Sequence, residues 1–407
     1  MPANPPPVPA LPTPLSAISA AKPARTPQPR VAPGPWDAEL GVDVVCLSHL
    51  RWDSVFQRPQ QLMTRCARRD RVFFVEEPIR GERDEITVTH AGGVHVVVPR
   101  LTARSDEDPE RRMARLLSRA LLAHNADEFL LWYYTPMALG FTKHLAPAAV
   151  VYDCMDELSA FACAPPLLRE REMELFARAD VVLTGGQSLY EAKRGRHVNV
   201  HAFPSSVDVP HFARARRERV DPPDQAHVRT PRLGFFGVID ERMDLDLLAA
   251  VAAARPSWQL VLIGPTAKVD RARLPVAPNI HYLGKKPYEA LPSYLAGWDV
   301  ALLPFARNEA TRFISPTKTP EYLAAGKPVV STSIRDVVRP YGERGLVRIA
   351  DAPADFVAEV ECALAEDPGS RLPAVDAFLA RMSWDATWSA MAALVRAALE
   401  ERAARAE

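Results

Sequence analysis

The chain has 407 residues, 48% of them apolar and 25% charged, the make-up of an ordinary globular protein. Its 50 basic and 50 acidic residues cancel, which removes the electrostatic case for nucleic acid as the main partner. At this length two domains are expected, because single cores stop growing near ~250–300 residues.

Residues 1–36 hold 12 of the 39 prolines, set among Ala, Thr and Ser. Such a tract buries too little apolar surface to offset chain entropy, so a disordered Pro/Ala-rich tail is expected. It lacks a charged stretch followed by an apolar one, so no secretory signal is expected, and no run of apolar residues is long enough to span a membrane. The five cysteines are scattered without a CxxC, which fits reduced thiols in a cytoplasmic protein better than a metal site or a disulfide framework.

From Val42 the pattern changes. VDVVCLS (42–48), RVFFVEE (71–77), VHVVVP (94–99), FLLWYY (129–134), AVVYDC (149–154) and DVVLTG (180–185) are short apolar runs suited to strands buried on both faces. Helical patterns such as QQLMTRCARR (60–69) alternate with them, which predicts a mostly parallel α/β sheet. Residues 211–231 are rich in charge and carry a Pro-Pro pair, and read as a connection between domains. The alternation restarts with RLGFFG (232–237), WQLVLIG (258–264), NIHYLG (279–284), DVALLP (299–304), KPVVST (327–332) and GLVRIA (345–350), and the chain ends in helical sequence. The expected plan is α/β, with two doubly wound Rossmann-like domains facing across a cleft. It comprises the tail 1–36, a first domain 37–210, the link 211–231, a second domain 232–375, and helices over 376–407 that pack back across both.

Ligands of such sheets bind outside the carboxyl ends of the strands, which singles out several residues. Gly237 closes GFFG where a strand gives way to a helix and permits close backbone approach, and Arg242 lies five residues on. In SPTKTPEYLAAGKPVV, Ser315 or Thr317 is the expected N-cap, Pro320 falls in the first turn, and Gly326 with Pro328 stops the helix. Lys318 then sits where the helix dipole is already positive. An anionic ligand would cancel that penalty, with the Ser315 and Thr317 hydroxyls and Glu321, three residues on, facing it.

In the first half, CLSHLRWDSVFQRPQQL (46–62) gathers His49, Arg51, Trp52, Asp53, Gln57 and Arg58 after a strand. Polar groups beside an aromatic suit the hydroxyls and C–H faces of a sugar. VVYDCMDELSAF (150–161) offers Asp153, Asp156 and Glu157 at another strand end, where a carboxylate can serve as a general base. Asp244-Leu-Asp246 is read as the start of a helix rather than a metal motif.

SPTKTPEYLAAGKPVVST resembles the nucleotide-sugar signature of GT-B glycosyltransferases of group 1, a family-four-like set, through Pro316, Lys318, Glu321, Ala324, Gly326, Pro328, Val329 and Val330. The SHLRWD and QRPQ stretches resemble bacterial envelope and exopolysaccharide transferases. The resemblance implies a UDP- or GDP-linked sugar donor as co-substrate, with no metal or other cofactor. It implies Lys318 on the donor diphosphate, Glu321 on the ribose, and Gly237 where the diphosphate approaches. It implies a hexosyltransferase of retaining type acting on a carbohydrate or lipid-linked acceptor in the cytoplasm. Basic segments such as ERRMARLLSRALLAH (110–124) read either as a solvated face or as a peripheral contact with the inner membrane. Two departures stand out. Val238 occupies the position of a family arginine, and Phe313 that of the family's first glutamate, with Asn308, Glu309 or Arg312 as nearby stand-ins. The alternatives left open are a GT-B epimerase or phosphorylase, and a catalytically degenerate scaffold.

Overall fold

The apolar runs become the inner strands of two sheets, because segments buried on both faces have no polar side to show. The computed structural model describes residues 38–406 apart from 163, 219 and 268, so the Pro-rich tail lies outside the described residues. The first sheet contains β1 Asp43–Ser48, β2 Val72–Glu76, β3 Ile79–Gly81, β4 Glu85–Ala91, β5 Val94–Thr102, β6 Phe129–Tyr133, β7 Val150–Cys154, β8 Val181–Thr184 and β9 Val200–Ala202. Their order is β3-β5-β2-β1-β6-β7-β8-β9, with β4 paired antiparallel to β5 and the other pairings parallel.

The second sheet contains β10 Arg232–Phe236, β11 Gln259–Ile263, β12 Ile280–Gly284, β13 Val300–Leu303, β14 Val329–Ser331 and β15 Arg348–Ile349. It is parallel throughout, in the order β12-β11-β10-β13-β14-β15. The chain winds outward from β10 in one direction, then returns to β13 and winds in the other. Between those two strands the helices diverge to opposite faces and leave a crevice at the carboxyl ends.

The charge-rich stretch 211–231 is not a free tether. Phe212, Ala215 and Val228 are buried in the core of the second half. Arg216 donates to the Ala324 carbonyl at 2.8 Å, and the Gln225 amide oxygen accepts from the Trp298 indole at 2.9 Å. Its polar side chains tie backbone and ring groups of the second half, so their number misreads as solvent exposure.

The chain end divides between the halves. Phe378, in the helix Pro368–Leu379, packs its ring 5.2 Å from Tyr341 of the second half. The long helix Trp384–Ala406 returns to the first, where Trp384, Trp388, Met391 and Val395 share one core with Val44, Cys46 and Trp132. Arg65 to Asp385 at 3.1 Å and Arg402 to Asp180 at 2.8 Å fix it along its length.

Where the chain enters β1, the Asp70 carboxylate accepts from Leu40 N at 2.9 Å and Gly41 N at 3.0 Å. Burial pushes this carboxyl up to about 6, with the backbone bonds opposing it, against ~3.9 in an unfolded chain. The native state therefore holds the proton more tightly. That contribution to stability is complete below the unfolded value and is lost as pH rises through about 6. Thermal midpoints should fall across this window, and fall less in Asp70→Asn; identical slopes would remove Asp70 as the cause.

Candidate active site

Two strand ends meet at a pair of glycines. Gly237 follows β10 with φ +148° and Gly264 follows β11 with φ +142°. The Gly237 N–H donates to Ile263 O at 2.8 Å. A Cβ on Gly264 would stand 1.7 Å from the Gly237 carbonyl oxygen, and one on Gly237 would stand 2.1 Å from Lys318 Cε. The lysine stem therefore lies directly on the glycine backbone that lines the crevice. Gly264 was not singled out from the sequence, although it ends an apolar run just as Gly237 does.

The helix Lys318–Ala324 seats that lysine. Thr317 takes the N-cap position, but its hydroxyl makes no capping bond and lines the cavity instead. Gly326 at φ +77° closes the other end, with its N–H on Leu323 O at 2.9 Å and that of Lys327 on Tyr322 O at 3.0 Å. The Tyr322 hydroxyl accepts from Phe236 N at 2.9 Å, which fastens the helix to the end of β10.

A cavity of about 500 Å³ opens beside this seat. Its floor is Phe236, Gly237, Gly264, Lys318 and Glu321, and its far wall is Trp52, Asp53, Phe56 and Gln57 of the first half. Burial pushes the Lys318 ammonium below the usual lysine range, with Glu321 opposing and Arg242 adding to it. Burial likewise pushes the Glu321 carboxyl up, against the pull of Lys318. Among the described residues neither side chain forms a hydrogen bond or a close ion pair, so both face the cavity.

One of the places where the two halves meet is a single ring. Tyr288 stacks on His211 at 4.2 Å with 5° between planes and lies 4.7 Å from Phe56. Gln61 Nε2 donates to its hydroxyl at 3.1 Å, and Lys285 Nζ donates to the Asp53 carbonyl. Tyr288 and Lys285 line the cavity and were missed in the sequence, where KKPYEA looks like an ordinary loop before a helix.

A smaller cavity of about 80 Å³ adjoins, sharing Gln57, Thr317 and Lys318 with the first. Asp156, Val238, Arg242, Ser315 and Pro316 line it. The Arg242 guanidinium is held by Asp240 at 2.7 Å and lies 5.6 Å from the centre of the Phe161 ring, so part of its charge is already compensated. The Ser315 carbonyl accepts from Ser205 Oγ at 2.9 Å, another tie between the halves.

Three expectations are corrected. Asp153 is 0% exposed, and Arg58 grips its carboxylate through Nε at 3.1 Å and an NH2 group at 2.8 Å, so it is no base for an acceptor hydroxyl. The same guanidinium donates to Phe203 O at 2.7 Å, so its donors are spent on internal struts, although the side chain also lines the smaller cavity beside Asp156. Asn308, Glu309 and Arg312 line a separate depression with Arg307 and Arg335, and Glu309 points outward, 3.6 Å from Arg312. They do not replace the missing acid. Phe313 packs against the core of the first half.

Of the other first-half candidates, Trp52, Asp53 and Gln57 line the larger cavity, with the Trp52 ring edge-on to Phe74 at 5.0 Å. Arg51 pairs with Glu76 at 2.6 Å, and neither it nor His49 lines either cavity. Asp244 caps its helix, accepting from Leu247 N at 2.8 Å. Among the described residues no three His, Cys, Asp or Glu side chains are placed to hold a metal, and no helix is long and apolar enough to cross a membrane.

Residues 230–366 match the family model "Glycosyl transferases group 1". The second half carries a group 1 glycosyltransferase domain. Lys318, Glu321, Gly237 and Gly264 all fall within the matched span of this transferase domain. The chain is also similar, at 25% identity, to a putative teichuronic acid biosynthesis glycosyltransferase of Bacillus subtilis (strain 168). That match covers 60% of this chain and 65% of the relative, slightly under two thirds of it.

Among solved structures, one titled as trehalose-6-phosphate from E. coli bound with UDP-2-fluoro glucose superposes with TM-score 0.64 at 14% identity, covering 87% of this chain and 99% of that one. A sucrose-phosphate synthase from Thermosynechococcus elongatus gives 0.55 at 14% identity, over 88% and 94%. At such identities the likeness is one of fold. That fold is GT-B, with two Rossmann-like sheets on either side of a cleft.

Proposed function

We propose that the chain is a glycosyltransferase that moves a hexose from a UDP- or GDP-linked donor to a carbohydrate or lipid-linked acceptor in cell-envelope or exopolysaccharide synthesis. The observation that carries this reading is the partly buried Lys318 side chain, which forms no hydrogen bond among the described residues and lies on the Gly237 backbone at the crevice of the second sheet. The role of the curated relative in teichuronic acid synthesis and the UDP-sugar in a structural relative agree with it.

In this reading the donor diphosphate lies over Gly237 and Gly264, where no Cβ blocks it, and meets Lys318. Glu321, one turn on, takes the ribose hydroxyls. Charge grows on the diphosphate as the glycosidic bond breaks, and a cation already held in a partly desolvated site stabilises it without reorganising. We take the reaction to be retaining, as the family resemblance supports, with the departing phosphate taking the acceptor proton on the same face. The Trp52–Gln57 wall closes the cavity from the acceptor side, which orients the reacting oxygens and limits hydrolysis. Peripheral membrane contact is part of the proposal. The helix Pro109–Ala123 turns Arg111, Arg119 and Leu122 outward, a face suited to anionic lipid, while Arg115 beside them is paired with Glu107 at 2.7 Å.

Thermal-shift measurements with UDP, GDP and their hexose conjugates test the reading. A bound nucleotide at ~100 times its Kd adds about 2.7 kcal/mol of stability. A raised midpoint with one nucleotide family is expected; no shift with any of them at millimolar concentration would sink the proposal. Gly264→Ala should then lower turnover by about 10²-fold, because both glycine turns must separate and a ~1 Å misplacement has that cost. Turnover within threefold of the parent would remove the glycine pair from the donor site.

A further inference from the structure

We infer that Asp156, from the first half, holds hydroxyl groups of the transferred sugar and so stands in for the acid that the loop 306–314 fails to bring to the donor; this rests on the nucleotide-sugar reading above. Three observations converge on it. The loop's own acid, Glu309, points away from the Lys318 cavity at 73% side-chain exposure. Asp156 lines the smaller cavity with Lys318 and Arg242, beyond the site given to the diphosphate. Among the described residues its carboxylate has no hydrogen-bond partner, in contrast to Asp153 on the same segment.

The turn that carries Asp156 is fixed on both sides. A Cβ on Gly185 would stand 2.5 Å from the Met155 carbonyl oxygen, so the turn lies flat on that glycine. Cys154 Sγ donates to the Asp156 carbonyl at 3.6 Å. Glu157, the next residue, is tied to the buried Lys193 at 2.6 Å and to Ser159 at 2.8 Å. Backbone and neighbours are anchored while the one unpartnered carboxylate faces the cavity. That is the arrangement of a preorganised acceptor of hydrogen bonds.

Size and charge agree. A volume of about 80 Å³ takes a few hydroxyl-sized groups rather than a whole ring, so one edge of the sugar would enter. Burial raises the Asp156 carboxyl and Asp240 adds to it, while Arg242, Arg58 and Lys318 oppose it. In either protonation state a carboxyl oxygen is free to accept from a sugar hydroxyl. Sugar choice then depends on the first half and nucleotide choice on the second, so donor recognition is complete only when the halves are together.

The test uses the full chain with Asp156→Ala and the near-isosteric Asp156→Asn, titrated with UDP, GDP, UDP-glucose, UDP-galactose and GDP-mannose. Affinity for the bare nucleotide should stay within about twofold. Discrimination between UDP-glucose and UDP-galactose, or between the GDP-linked sugar and GDP, should shrink by tenfold or more, since a site built to bond a hydroxyl rejects the epimer strongly. Discrimination unchanged in Asp156→Asn would overturn the inference and leave the donor-site reading intact. A parent chain that binds no nucleotide would overturn both. Should the alanine variant not fold, the asparagine variant decides.

Discussion

Lys318→Ala is expected to lower turnover by about 10²–10³-fold, the usual effect of removing one preorganised group that stabilises transition-state charge. The same change should leave the thermal midpoint unaltered or slightly raised. Lys318 is the first residue of its helix, where the dipole disfavours a cation, and burial disfavours its charge further. A structural lysine would show the opposite pattern, with stability lost and kinetics preserved. Lys318→Arg should not restore activity, because the lysine stem already occupies the space above Gly237 and the bulkier guanidinium has to lie elsewhere. Kinetics with a nucleotide sugar and a melting curve on the same preparations suffice. Turnover within about threefold of the parent would reject the assigned role.

Arg58→Ala should destabilise the fold by about 3–5 kcal/mol, the range for stripping one partner from a buried ion pair. Asp153 would be left fully buried with no cation, and the Phe203 carbonyl would lose a donor. Replacing both residues by apolar ones, Arg58→Met with Asp153→Leu, should recover much of the loss, since no charge is then stranded. Denaturant unfolding of the single and double variants measures this. If Arg58 instead contacted the acceptor, the single variant would keep its stability and raise KM. A loss below about 1 kcal/mol would favour that reading, given the exposed-pair range.

These two residues show what one dimension conceals. Asp153 and Asp156 sit three positions apart at one strand end, and their types give no ground for preferring either. Their roles are separated by Arg58, 95 residues before Asp153, which hydrogen-bonds that carboxylate and not Asp156. The inner strands were legible because burial on both faces writes a continuous apolar run. β4 was not, because EITVTHA is half-exposed and alternates, and β3 and β9 are short and partly exposed on both sides, so no apolar run marks them. The Lys318 helix was legible because its cation contradicts the dipole unless a ligand answers it. Gly264 shares the geometry of Gly237 but is followed by no α-helix before the next strand, so nothing marked it.

The returning helix has a consequence for synthesis. Trp384, Trp388, Met391 and Val395 complete the core around β1 and β6, strands made more than 200 residues earlier in sequence order. On the ribosome the first lobe cannot close its interior when its own sequence has emerged, and an apolar sheet face waits for nearly the whole message to be read. Domain-by-domain folding during translation is therefore barred to the earlier lobe. A chain cut short before Trp384 would leave that face uncovered and prone to aggregate.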